Sequence, residues 1–184
     1  TYSGAHAMGV FSTGRTSGGE INAGAGKIDI WGKCVAPVST TYCRGVQLAA
    51  WAGSNQNNFV VTSANTDSDS IKIRADVRYT GQLGLGQWDA FKIQNTSGGG
   101  LLAQFDTINQ ASGQMHLGIT GPVVLESVAD SWPSTFPWDS NRFADVSGIV
   151  PESLRIGKTS NTSGITFTKA ITARDSVIVY GSDW

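Results

Sequence analysis

Ser70-Ile-Lys-Ile-Arg-Ala-Asp-Val-Arg-Tyr79 is the stretch that decides the fold. Apolar and polar residues alternate along it, the signature of a strand with one face in a core and the other in water. The same period runs through Lys27-Ile-Asp-Ile-Trp31, Asp89-Ala-Phe-Lys-Ile93, Ile165-Thr-Phe-Thr-Lys-Ala-Ile171 and Ser176-Val-Ile-Val-Tyr180. Val46–Trp51, Phe59–Thr62, Leu101–Phe105, Met115–Ile119 and Val123–Ser127 are further strand candidates, and Gly- and Asn-rich punctuation separates them. About ten short strands with frequent turn signals predict an all-β fold, an antiparallel β-sandwich or jelly roll. Only Pro151-Glu-Ser-Leu-Arg155 suggests a helical turn, with Pro at its start. No repeat of solenoid length is evident, and no linker divides the chain. Residues 1–184 therefore read as one domain. Residues 1–20, rich in Gly and Ser, read as flexible, as in part a cloning remnant, or as a segment that pairs with a neighbouring subunit.

Charged residues make up 15% of the chain against a usual quarter, and the net charge is −1. Nucleic-acid binding needs clustered cations, and here Lys and Arg are dispersed, so that class is disfavoured. No apolar run approaches the length of a membrane span, so no membrane insertion is expected. The low charge and abundant Gly, Ser, Thr and Asn resemble the distal receptor-binding domains of phage tail fibres and spikes. Adhesive or structural subunits of surface appendages share the style. The resemblance implies a place outside the cell or on a virion or cell surface, and a homo-oligomer, a trimer by analogy with fibres.

Cys34 and Cys43 are the only cysteines and flank what reads as a hairpin tip. A disulfide across so short a loop would stabilise by about 2–3 kcal/mol and would fit an oxidising compartment. The alternative is two buried free thiols. No further Cys or nearby His completes a metal site.

The richest candidate site is Asp130-Ser-Trp-Pro-Ser-Thr-Phe-Pro-Trp-Asp-Ser-Asn-Arg-Phe143. Its prolines indicate a shaped loop. Trp132 and Trp138 would stack on a sugar ring, with Asp139, Asn141 and Arg142 bonding to its hydroxyls. The same aromatics would serve equally well as an internal plug. Asn65-Thr-Asp-Ser-Asp-Ser70 has the alternating oxygens of a calcium loop but lacks its glycine and its final Glu, so a polar turn is the better reading. A looser calcium site would use Asp67 and Asp69; no other cofactor is expected. His116 reads as an ordinary strand histidine, and His6 falls in the Gly/Ser-rich start. Gly81–Gly86 lacks the spacing of a phosphate loop and reads as a hairpin turn. Asn95-Thr-Ser97 and Asn161-Thr-Ser163 are sequons.

These observations favour a non-catalytic module that binds cell-surface carbohydrate or a glycoconjugate. The first alternative is a pilin-like or capsid-like assembly subunit that works by strand addition. The second is a polysaccharide-degrading enzyme using a carboxyl pair such as Asp139 with Asp130 or Asp145.

Overall fold

In the stretch that opens the sequence reading, Ile71, Ile73 and Ala75 point inward and Lys72 and Arg74 outward, as alternation requires. Its neighbouring strands, however, run in the same direction as it does. The computed structural model describes residues 7–15, 19–34, 43–51, 59–77, 83–87, 91–110 and 114–182. Strands are numbered β1 to β17 in chain order. One sheet, face A, contains β1 (Ala7–Arg15), β4 (Cys43–Trp51), β7 (Leu83–Gln87) and β10 (Ile108–Gln110). Face B contains β2 (Gly19–Asn22), β5 (Phe59–Thr62), β8 (Phe91–Asn95), β11 (Met115–Ile119) and β14 (Phe143–Asp145). Face C contains β3 (Ile28–Cys34), β6 (Ile71–Val77), β9 (Leu101–Phe105), β12 (Val123–Glu126), β15 (Ser153–Ile156) and β17 (Ser176–Val179). A separate pair, β13 (Phe136–Trp138) with β16 (Ile165–Phe167), takes the turn of face A in the last two coils.

The chain thus visits three faces in rotation and stacks each coil on the one before: a three-faced parallel β-solenoid. Every strand pairing among the described residues is parallel. The expected antiparallel sandwich or jelly roll is therefore overturned. Parallel neighbours need a long return connection, and here the other two faces supply it. Alternation reports that a strand is half-buried and carries no information about the direction of its partner.

The solenoid repeat escaped the sequence because its length varies. Ile28, Ile71, Leu101, Val123, Leu154 and Val177 occupy one register position on face C, separated by 43, 30, 22, 31 and 23 residues. The variation is absorbed at the corners. Other local expectations change with the topology. Pro151–Arg155 holds no helical turn; Ser153–Ile156 is β15. Of Gly81–Gly86, expected as a hairpin turn, residues 83–86 belong to β7, and 81–82 lie outside the described residues. Residues 7–15 and 19–22 form β1 and β2, while 1–6 and 16–18 lie outside the described residues. Cys34 and Cys43 do not bound a hairpin, since β3 and β4 lie on different faces. Cys34 is buried and disulfide-bonded, and the side chain of Cys43 lies outside the described residues.

The core is a set of columns along the solenoid axis. Face B stacks Phe59, Phe91, Met115 and Phe143, and face C stacks Ile71, Leu101, Val123 and Leu154; all are nearly or wholly buried. Val46 and Leu48 close the interior from face A. Gly32 and Gly45 permit faces C and A to approach, because a Cβ on Gly32 would sit 1.9 Å from the Gly45 carbonyl oxygen.

The corners are held by buried amides. Asn95 is wholly buried where face B turns into face C. Its Nδ2 donates to the Asn65 carbonyl (2.7 Å) and Ser70 Oγ (2.9 Å), and its Oδ1 accepts from the N–H groups of Ser97 and Gly99. Asn161 does the same between faces C and A, donating to the carbonyls of Ser163 and Tyr180 and accepting from the Trp132 N–H. Both sequon asparagines are thus internal cross-links with their amide groups occupied, which removes them as accessible acceptors for a glycan.

Candidate functional site

The aromatic segment 130–143 builds the fifth coil. Phe136 enters β13 pointing inward, Pro137 follows, and Trp138 points inward again. Trp132 is 3% exposed and Trp138 2%. Trp132 stacks on Phe136 at 4.3 Å between ring centroids, and Trp138 stacks on Phe143 at 4.7 Å. Phe136 and Phe143 stand 5.9 Å apart and join the two stacks into one internal aromatic column. The indole N–H of Trp132 donates to the Phe105 carbonyl at 3.0 Å, and that of Trp138 to the Ala170 carbonyl at 3.4 Å. These rings serve as filler, as the plug alternative had it, and neither presents a face on which a sugar could stack.

The polar members of the predicted site are also engaged. Asp139 closes the corner between β13 and β14: its Oδ1 accepts from the N–H groups of Asn141 (2.9 Å) and Arg142 (2.8 Å), and its Oδ2 holds the Arg142 guanidinium. Asn141 is exposed on that corner. Of the five predicted binding residues, only Trp132 and Arg142 line a common opening, a cleft of about 190 Å³ shared with Asp106, Thr107, Ser134 and Thr135.

The cleft has a structural origin. Among the described residues β10 pairs only with β7, and β13 only with β16, so face A is interrupted between the fourth and fifth coils. The Phe136 N–H and the Trp138 carbonyl both point to the β16 side. Pro137 therefore stands where an amide would face β10, and proline has no N–H to give. The cleft is small for a ligand pocket, which usually exceeds about 300 Å³. Arg142 there pairs with Asp139 while its buried Nε has no hydrogen-bond partner among the described residues, and Asp106 accepts from the N–H groups of Val128 and Ala129.

Asp67 and Asp69 meet lysines. Lys27 Nζ lies 2.8 Å from Asp67 and 2.7 Å from Asp69, and Lys72 Nζ lies 2.6 Å from Asp69. Hydrogen bonds from Lys27 and then Lys72 hold the Asp69 carboxyl down at about 2, and those to Asp67 and Asp69 push Lys27 above its usual range. Both carboxylates are thus paired with ammonium groups in this structure. His116 points outward on face B beside Lys92 and Ala144. Burial, then the Lys92 charge, lowers its pKa.

The exposed outer surface of face C carries a different constellation. One row across it reads Trp31, Arg74, Gln104, Glu126, and a parallel row reads Asp29, Lys72, Leu102, Val124, Arg155, Ile178. Rungs in such a sheet repeat about every 4.8 Å. Trp31 is 62% exposed, with the Arg74 guanidinium 5.8 Å from its ring centroid. Glu126 accepts from Gln104 and from Arg155, both at 2.8 Å. The sequence signal for this surface was present: in Lys27-Ile-Asp-Ile-Trp31 the tryptophan shares the parity of Lys27 and Asp29, not that of the buried isoleucines.

No protein-family model matches the chain, and no curated protein or solved structure matches it.

Proposed function

We propose that the protein is a non-catalytic binding module for surface carbohydrate, with the outer surface of face C as its contact. The observation that carries this reading is Trp31. A large aromatic ring stands in water on a rigid sheet, beside an ordered row of hydrogen-bonding side chains. Such a ring offers an apolar platform to one side of a sugar, while Asp29 and Gln104 offer partners to its hydroxyls. Solenoids present extended surfaces of this kind. Each site would bind modestly, since polar ligands exchange water hydrogen bonds for protein ones. Repeated ligands on a cell surface would raise avidity. The reading therefore places the protein outside the cell.

The state of the carboxylates supports binding over hydrolysis. Glu126 is held by Arg155, Asp139 by Arg142 and Asp145 by Lys169. Each of these carboxylates is thereby tied into an ion pair within the fold, whereas glycoside hydrolysis needs two carboxyl groups free to flank one sugar bond. The test is affinity electrophoresis and calorimetry against a panel of neutral and acidic polysaccharides. Binding that disappears in Trp31→Ala, with an unchanged denaturation midpoint, is the expected result. Binding that survives Trp31→Ala overturns it.

One observation favours assembly as a second reading. β17 is the last strand of face C, and its Val177 and Ile178 are 43% and 44% exposed. Val177 continues a column otherwise buried, and Ser176–Val179 contains none of the charges or prolines that usually guard a sheet edge. On this reading a second copy adds its strand there. Concentration-dependent association abolished by Ile178→Lys supports it, and a monomer at high concentration refutes it.

A further inference from the structure

We propose that the Trp31 surface selects carboxylate-bearing saccharides, polyuronate-like chains above all, with Arg74 as the residue that reads the acid. This rests on the carbohydrate-binding reading and names its ligand class.

The argument starts from which cations near this surface are already engaged. Lys27 is held by Asp67 and Asp69, Lys72 by Asp69, Lys33 by Asp76 at 3.6 Å, and Arg155 by Glu126. No described carboxylate lies within ion-pair distance of Arg74. It stands exposed, one rung from Trp31 in strict register, and its described contact is with the indole ring. A guanidinium over a ring engages through its flat face and keeps its N–H donors along its edge. Those donors form a planar fork that matches the two oxygens of a carboxylate. Trp31 remains 62% exposed beside it, so one platform and one fork stand side by side at the spacing of a single rung.

The surroundings fit this occupant. Asp29 lies two residues before Trp31, in register with Lys72, and its carboxylate is placed to accept hydroxyls. Gln104 follows Arg74 on the next rung and adds a neutral amide. A neutral sugar would use Trp31 and leave the fork to water. An acidic one uses both.

The experiment uses the full chain with oligogalacturonate of defined length and with the same oligomer fully methyl-esterified. Esterification removes the charge and keeps the rings. Calorimetry at moderate salt should show the acid form binding about tenfold or more tightly than the ester. Arg74→Gln should erase that difference by weakening the acid form, while Arg74→Lys should keep only part of it because the fork is lost. Trp31→Ala should weaken both forms. Equal wild-type binding of acid and ester overturns the inference and leaves the carbohydrate reading standing. A preference that survives Arg74→Gln overturns it too, as does dextran sulfate binding as tightly per charge as the uronate. Failure of every neutral and acidic polymer overturns the carbohydrate reading itself. Arg74 is exposed, so denaturation midpoints of its variants should match the parent.

Discussion

Replacing Asn95 with Ala should be among the most damaging single changes at any corner of this solenoid. The side chain is wholly buried and makes four hydrogen bonds, to Asn65, Ser70, Ser97 and Gly99. Ser70 Oγ retains its bond to the Gly100 carbonyl, and the Ser97 N–H lies near enough to solvent to find water. The Gly99 N–H is buried and loses its acceptor, and the Asn65 carbonyl loses its donor. At about 1 kcal/mol per bond, with the buried orphan at the upper end, the loss is about 3 kcal/mol. For a chain of this length that corresponds to a fall in Tm of about 6–12 °C. Urea unfolding followed by circular dichroism measures it directly, with Asn22→Ala as the control. Asn22 is exposed; it donates to Glu20 and accepts from the Gly24 N–H, contacts local to its own corner, and its loss should cost under about 1 kcal/mol. Equal, small losses for both variants would refute the view that buried amides hold the corners.

Trp132→Ala removes a stacked ring from the core and orphans the Phe105 carbonyl, so it should cost about 3–5 kcal/mol, whereas Trp31→Ala should stay within about 0.5 kcal/mol. Matching denaturant midpoints for the two variants would contradict the assignment of one indole to the interior and the other to the surface. Asp69 is more acidic in the folded chain than when unfolded, so its lysine contacts stabilise fully above the ordinary carboxyl pKa of 3.8 and are lost as pH falls toward 2. Unfolding midpoints measured across that interval should fall less steeply for Asp69→Asn than for the parent; superimposable profiles would exclude the contribution. Gly32→Val should fail to accumulate as folded protein, because its Cβ would overlap the Gly45 carbonyl, and a near-native melting curve would show that faces A and C can separate there.

Most strand positions were legible because alternation survives in either kind of sheet: Ile71, Ile73 and Ala75 point inward as read. Direction was not legible from alternation, but one clue was available. The chain contains no Asn-Gly or Asp-Gly pair, the strongest signals of the tight hairpins an antiparallel sandwich would use. The repeat was hidden by coils of unequal length. The burial of Trp132 and Trp138 was not legible for a related reason. A cluster such as Trp132, Phe136, Trp138 and Phe143 looks the same whether it lies over a core or inside one, and here rotation of the chain through three faces turns it inward. Trp31 carries no cluster signal because it stands alone in the sequence. Its companions Arg74 and Gln104 come from the next two coils, brought beside it by a register that only the folded chain displays.

The gap in face A also has a mechanical consequence. Among the described residues, only two of the three walls are stitched by backbone bonds between the fourth and fifth coils, and again between the fifth and sixth, where face B has no further strand. A pull along the axis would load those two walls alone at each junction, and at the first of them the stack would bend open on the Pro137 side, like a spine with one ligament cut.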